Sequence, residues 1–69
     1  MKSPEKDRRW LGRWAFRTDG ADFTFLIRGV ADGRHALISG WHGQPGRVFI
    51  DTRYLDRLAR AGALRYLGR

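Results

Sequence analysis

Apolar and polar residues alternate from Trp10 to Arg17, which is the pattern of a strand with one buried face. One side has Trp10, Gly12, Trp14 and Phe16, and the other has Leu11, Arg13, Ala15 and Arg17. Asp19-Gly20 follows, a dipeptide typical of a type I′ hairpin turn, in which both central residues take positive φ. The pattern therefore predicts a β-hairpin.

This turn predicts which residues of the two strands face each other. On an aromatic face, Phe16 lies opposite Phe23, Trp14 opposite Phe25 and Gly12 opposite Ile27. On the other face, the same count pairs Arg17 with Asp22, Ala15 with Thr24, Arg13 with Leu26 and Leu11 with Arg28. Because the turn chemistry and the hydrophobic pattern agree, we expect this register.

A second Asp-Gly turn, Asp32-Gly33, predicts a third strand. Counting outward adds three pairs to the aromatic face: Gly29 with Ala36, Ile27 with Ile38, and Phe25 with Gly40. The opposite face receives Val30 with His35, Arg28 with Leu37, Leu26 with Ser39, and Thr24 with Trp41. The result is a three-stranded meander.

The turn residues 43–46 precede a short apolar run, 47–50, that we expect to pair with the third strand. Two registers stay open. A three-residue loop directs Val48 and Ile50 to the aromatic face, whereas a two-residue turn at Pro45-Gly46 directs them to the opposite face.

A helix is predicted next, with Asp51 or Thr52 as its N-cap, an end near Ala61 and Gly62 as the left-handed stop. Leu55, Leu58 and Ala59 share one stripe of this helix, while Arg53, Arg57 and Arg60 share another. We expect the leucines to pack on the sheet. Residues 63–69 form either a last short strand or a tail held by its leucines.

These elements predict an α+β fold: a small antiparallel sheet of three to four strands in a meander, with one C-terminal helix packed on one face. Residues 1–9 are expected to be a flexible arm and residues 10–69 a single compact domain. The order of a three-stranded antiparallel sheet followed by a helix resembles that of small domains that read DNA with a sheet, such as plant ethylene-response domains and the arm-binding domains of phage integrases. This resemblance transfers no residue.

Composition narrows the chemistry. The 69 residues include 14 Lys+Arg against 7 Asp+Glu, a net charge of +7, and no cysteine. Disulfides, thiolate zinc sites and thiol nucleophiles are thereby excluded. The first residues lack a secretory signal and no later stretch approaches a membrane span, so we expect a complete small protein of the cytoplasm. Twelve of the basic residues are Arg, which suits phosphate or carboxylate recognition but also fits a GC-rich genome.

A single short helix covers only one sheet face, so the uncovered face is the candidate site. It is predicted to bear Leu11, Arg13, Arg17, Thr24, Leu26, Arg28, His35, Leu37 and Trp41. There, arginines bind phosphate or carboxylate and Trp41 stacks on a base or fills a pocket. The alternative is that arginine stems merely cover leucines beside solvent.

The helix stripe Arg53, Arg57 and Arg60 is a second candidate, able to follow a phosphate backbone. Asp56 stands four residues before Arg60 and would partly neutralise it. The alternative interpretation is an ordinary solvated helix face.

Catalysis and metal binding receive little support from the sequence. His35 and His42 lie seven residues apart with no cysteine to join them at a metal ion. Ser39 and His42 fall on opposite faces of a regular strand, which argues against a triad with Asp51. We therefore expect no enzyme, no metal and no cofactor.

Two classes of function remain as expectations. The first is a small regulatory or accessory module that contacts nucleic acid, DNA or RNA, through the Arg and aromatic residues of the uncovered face, reading shape rather than base sequence. The second is a protein-binding inhibitor or adaptor, of the kind that phages and plasmids encode, which docks on an acidic protein or forms a homodimer. Neither involves a membrane or a small-molecule substrate.

Overall fold

The computed structural model describes residues 9–68, which form a five-stranded antiparallel sheet and one helix. In chain order the strands are β1 (Gly12–Arg17), β2 (Asp22–Ala31), β3 (His35–Ser39), β4 (Arg47–Asp51) and β5 (Leu64–Gly68), with helix α1 (Thr52–Arg60) between β4 and β5. The predicted α+β class is confirmed, with more strands than expected. Of the predicted arm, residues 1–8 lie outside the described part of the chain.

The first hairpin has the predicted register but a different turn. Every predicted pair from Gly12–Ile27 to Arg17–Asp22 is present. The type I′ assignment is wrong, because neither Asp19 nor Gly20 has a positive φ. Instead, the Thr18 hydroxyl accepts a hydrogen bond from the Ala21 N–H at 3.1 Å, and the Thr18 N–H donates to the Ala21 carbonyl at 2.9 Å.

The second hairpin has both predicted positive φ angles, 57° at Asp32 and 64° at Gly33. Ile27 lies opposite Ile38 as predicted, but a bulge between Ile27 and Gly29 shifts the register nearer the turn. Val30 therefore pairs with Ala36 rather than His35 and packs against the core. An extra residue in one strand reverses the alternation of all that follow, and here it buries an apolar side chain that regular pairing would have left outside.

The order of strands in the sheet is β4-β3-β2-β1-β5. The open question about β4 is answered by its pairing: Ile38 lies opposite Val48 and Ala36 opposite Ile50, so Val48 and Ile50 face the aromatic side. Residues 64–68 are a strand rather than a tail, and they pair with β1. The resemblance in element order to three-stranded DNA-binding domains therefore does not extend to the whole fold.

Both ends of α1 are capped as the sequence predicts. Asp51 is the N-cap, and its Oδ1 accepts the Arg53 backbone N–H at 2.8 Å. At the other end Gly62 has a φ of 78°, and the Ala63 N–H donates to the Leu58 carbonyl at 3.0 Å. Together with the bond from the Gly62 N–H to the Ala59 carbonyl, this is the Schellman arrangement, which satisfies the last carbonyls of the helix.

The core lies between α1 and the aromatic face of the sheet. Leu55 of the helix is fully buried, and Leu58 packs at the margin. The other buried members of the cluster are Trp10, Phe16, Phe25, Ile27, Ala36 and Ile38. The predicted packing of the helix leucines on the aromatic face is therefore confirmed.

Gly12 has little room for a side chain. Its φ is 124°, and a Cβ at this site would lie 2.8 Å from the Gly68 carbonyl oxygen and 2.9 Å from the Tyr66 hydroxyl. This conformation interrupts the alternation at the start of β1, so Leu11 packs against the core instead of joining the uncovered face as predicted.

We expect Gly12→Ala to lower the free energy of unfolding by about 1–3 kcal/mol, because alanine is strained at this φ and meets backbone atoms of β5. Urea denaturation followed by tryptophan fluorescence measures the change. Gly20→Ala is the matched control, since no atom lies within 4 Å of its added Cβ, and it should change stability by less than about 0.5 kcal/mol. Equal stability of the two variants would contradict this assignment.

Candidate functional site

The sheet face that α1 leaves uncovered is called the open face here. Its side chains follow from the strand pairings and the alternation of buried and exposed positions. They are Arg13, Ala15 and Arg17 of β1, Asp22, Thr24, Leu26 and Ala31 of β2, His35, Leu37 and Ser39 of β3, Arg47, Phe49 and Asp51 of β4, and Arg65 of β5. The open face thus combines arginines with apolar side chains across all five strands.

Three arginines surround Ala15 on the open face. Arg13 and Arg17 flank it along β1, about 13 Å apart at the usual rise of a strand, and Arg65 on β5 pairs with Ala15 itself. All three arginines are exposed. Their guanidinium groups therefore concentrate positive charge over one half of the open face.

A fourth arginine, Arg47, extends this charge to the opposite edge. The row Arg47, Ser39, Leu26 and Arg13 crosses four neighbouring strands, which separates the two arginines by about 14 Å at the usual strand spacing. The open face therefore presents guanidinium groups at both edges of a less polar centre.

The centre of the open face is apolar. Leu37 pairs with Phe49, and both leucines, Leu26 and Leu37, are half-buried. The Phe49 ring is 60% exposed, the highest exposure among the large apolar side chains described. A shallow hollow beside it is bordered by His35, Asp32 and Ala31. This ring is therefore the aromatic group on the open face that a partner reaches most easily.

Few of the open-face arginines have an acidic partner. Arg17 approaches Asp22 at 3.8 Å, with both side chains well exposed, so this ion pair is weak. Within residues 9–68, Arg13, Arg47 and Arg65 take part in no ion pair. Their donors are available to phosphate or carboxylate groups of a partner.

The predicted position of Trp41 is wrong. Gly40 has a φ of 82° and ends β3, so the alternation does not continue to residue 41. Trp41 begins a short 3-10 turn (Trp41–Gly43) and packs at the aromatic face, with ring centroids 5.1 Å from Phe25 and 5.4 Å from Phe23. Since its ring completes the core, Trp41 cannot stack on a ligand bound to the open face.

His35 lies on the open face, whereas Arg28 lies at a break in the strand pairing. Arg28 lies in the β2 bulge, where it and Gly29 together occupy the position opposite Leu37, and it is exposed. His35 pairs with Asp51 at the end of β4 and is half-buried. Arg28 therefore borders the open face and His35 belongs to it, and the binding roles of both remain predictions.

The arginines of α1 differ from those of the sheet. Arg53 contacts Asp51 at 3.3 Å, and Arg60 contacts Asp56 at 3.2 Å, the pair expected from their spacing. Asp56 also forms an ion pair with Arg9 at 3.1 Å. The Arg9 guanidinium lies over the Trp10 ring. Arg57 is exposed and has no ion pair among residues 9–68. The helix stripe is thus partly neutralised.

The residues considered for metal binding or catalysis lie apart. The His42 ring packs 4.5 Å from the Phe23 ring on the aromatic side, whereas His35 and Ser39 lie on the open face. The Asp51 carboxylate accepts hydrogen bonds from the guanidinium groups of Arg34 and Arg53. Across the described residues, no three His, Asp or Glu side chains are grouped closely enough to hold a metal ion.

The sequence reasoning missed Arg47, Phe49 and Arg65 as members of the open face. Phe49 and Arg47 follow from the β4 register that faces Val48 and Ile50 inward, one of the two alternatives left open. Arg65 required the knowledge that β5 pairs with β1 across the helix. The sequence signals that point to these residues are the alternating patterns of 47–51 and 64–68, and both are too short to determine a strand register.

No protein family, curated protein or solved structure matches this chain. Among the described residues, α1 is too short and too polar to cross a membrane. The chemistry of the open face is therefore the basis for a proposed function.

Asp51 makes stability depend on acid pH. The Arg53 backbone N–H, together with the guanidinium groups of Arg53 and Arg34, holds the pKa of the Asp51 carboxyl well below its usual range. The stabilisation is complete above the unfolded pKa of about 3.9 and is lost as pH falls toward the folded pKa. We expect Asp51→Asn to flatten the loss of stability below about pH 4.

Urea midpoints measured from about pH 6 down to pH 2 test this expectation. Asp19→Asn is the matched control, because Asp19 is exposed in a turn and forms no ion pair within residues 9–68. It should retain the pH dependence of the unmodified protein. The role assigned to Asp51 is wrong if the two variants have the same pH profile.

Proposed function

We propose that the chain is a small, non-enzymatic accessory protein of the cytoplasm whose open face binds single-stranded nucleic acid without strong sequence preference. Arg13, Arg17, Arg47 and Arg65 contact phosphates, and Phe49 stacks on an unpaired base. The observation that carries the proposal is that exposed arginines, mostly without acidic partners in the described chain, share the open face with an exposed aromatic ring.

The distribution of ion pairs favours the sheet over the helix as the binding surface. A guanidinium that already contacts a carboxylate must give up that contact to bind phosphate, as Arg53 and Arg60 would. Arg13 and Arg65 have no such contact within residues 9–68. Phosphate binding on the open face therefore replaces water rather than an existing ion pair.

The form of nucleic acid follows from the shape of the surface. Within residues 9–68 the one helix, α1, lies on the other face, so the open face has five strands spaced about 4.8 Å apart and no helix that could enter a groove. The Phe49 ring can stack only on a base that is not already stacked in a duplex. Stacking and phosphate contacts tolerate any base, so the proposal includes little sequence discrimination.

The alternative, a protein partner, is favoured by a different observation. Phe49 and Leu67 are 60% and 44% exposed, and exposed apolar side chains commonly anchor protein interfaces. The two candidates differ in their response to salt. Binding dominated by phosphate contacts weakens steeply with salt, whereas binding through apolar anchors changes little.

We expect the double variant Arg13→Ala with Arg65→Ala to bind a single-stranded oligothymidylate about 25-fold more weakly at about 0.1 M salt. Each lost phosphate contact removes about 0.7 from the slope of log affinity against log salt, so the difference should vanish on extrapolation to about 1 M. Fluorescence anisotropy with a labelled oligonucleotide measures both quantities.

Arg57→Ala provides the control on the opposite side of the molecule. Arg57 is as exposed and as free of ion pairs in the described chain as the two sheet arginines, but it lies on α1. Its variant should bind like the unmodified protein. If affinity falls only in Arg57→Ala, the site lies on the helix rather than on the open face. If neither the double variant nor Arg57→Ala lowers affinity, the proposal is refuted.

A further inference from the structure

β4 is an edge strand with apolar side chains exposed on both of its faces. It pairs with β3 on one side and ends the sheet on the other. Val48 is 41% exposed on the helix side and Phe49 60% exposed on the open face. An edge with exposed apolar side chains is a template for pairing with another strand.

The backbone of β4 shows which groups face outward. The Thr52 N–H donates to the Arg34 carbonyl at 2.7 Å, so residue 52 directs its N–H toward β3. Because these directions alternate along an antiparallel strand, the N–H groups of Ile50 and Val48 also face β3. Arg47, Phe49 and Asp51 therefore direct their backbone groups to the free edge.

We propose that this edge binds a second copy of the chain, with two β4 strands antiparallel about a two-fold axis at Phe49. In this register the two Phe49 residues exchange backbone hydrogen bonds, and the Asp51 N–H reaches the Arg47 carbonyl of the second copy. All three outward-facing residues then lie opposite outward-facing residues. The inference stands without the proposed nucleic-acid binding.

The side chains of β4 are self-complementary in this register. Arg47 lies opposite Asp51 of the second copy, so opposite charges meet twice by symmetry. The two Phe49 rings meet on the open face, and Val48 meets Ile50 on the other face. A shift by two residues along the strand keeps hydrogen bonding possible but separates the charged residues.

The Asp51 carboxylate is held by donors of its own chain and still remains partly exposed. Its Oδ2 already contacts Arg34 at 3.0 Å and Arg53 at 3.3 Å, and its side chain remains 29% exposed. A carboxylate has more acceptor sites than these donors use, so it can also accept from a further guanidinium. Gly46 would lie opposite Thr52 of the second copy, where the absence of a side chain leaves room for the start of the helix.

The other edge strand, β5, also exposes apolar side chains, Tyr66 and Leu67, but it lacks the charge complementarity and the regular edge of β4. The segment Leu64–Gly68 includes Arg65 but no carboxylate, so self-pairing brings no opposite charges together. Its pairing with β1 is interrupted between Arg13 and Trp14, and Gly68 has a φ of 106°, which departs from extended backbone. Irregular edges of this kind disfavour strand addition.

Sedimentation equilibrium of the full chain, treated with nuclease, tests the proposal without any nucleic acid. The salt concentration is about 0.15 M, which screens the repulsion between two chains of net charge +7. We expect the mass to rise from 8.0 kDa toward twice that value as the protein concentration approaches about 1 mM. Arg47→Glu places two carboxylates opposite each other at both ends of the pairing and should weaken association at least about tenfold.

Arg65→Glu is the matched control, with the same change of net charge on the other edge strand. Since it lowers the repulsion between copies equally, it should associate at least as tightly as the unmodified chain. Circular dichroism confirms that both variants are folded. A mass that stays at 8.0 kDa up to about 1 mM, or equal association by the two variants, would overturn the proposal.

Discussion

The packing of Leu55 against the aromatic face is the interaction on which the rest of this structure depends. The chain has one helix between β4 and β5 within the described residues, and Leu55 is its fully buried side chain. Burying such a leucine stabilises the fold by about 1.5–3 kcal/mol. Once α1 covers this face, no second element among residues 9–68 covers the other, and the arginines of β1, β4 and β5 remain exposed.

The position of the helix depends in turn on Asp51. This residue ends β4, caps α1 and contacts Arg34 and Arg53, so one carboxylate joins an edge strand to the helix. Asp51 is also the carboxylate that lies opposite Arg47 of the second copy in the proposed pairing of β4 strands. A single side chain therefore links core packing to the proposed interface between copies.

Much of the fold could be predicted from the sequence because side chains along a strand alternate between the two faces of the sheet. The register of β1 and β2 is correct even though the turn differs, since Phe16–Phe23 and Trp14–Phe25 bury large rings on one side whatever the turn conformation. The caps of α1 were also predictable, because Asp51 and Gly62 act through local backbone geometry.

Three misplaced side chains, those of Val30, Trp41 and Leu11, share one physical cause, which is a local break in alternation. The β2 bulge reverses the side of Val30, and the left-handed Gly40 moves Trp41 from the open face into the core. Gly12 does the same for Leu11. Counting along a strand cannot detect such breaks, and pairing of β5 with β1 depends on how α1 returns the chain. The aromatic group of the open face was therefore assigned to Trp41 instead of Phe49.

Binding on the open face requires that the helix leave the arginines of the sheet accessible. An NMR titration of the isotopically labelled protein with a single-stranded oligonucleotide tests it most directly. The account predicts shifts at the Phe49 ring and at the amides of Ala15, Leu26 and Arg65, with the methyl signals of Leu55 and Ile38 unchanged. Shifts confined to α1, or no shifts at all, would contradict it.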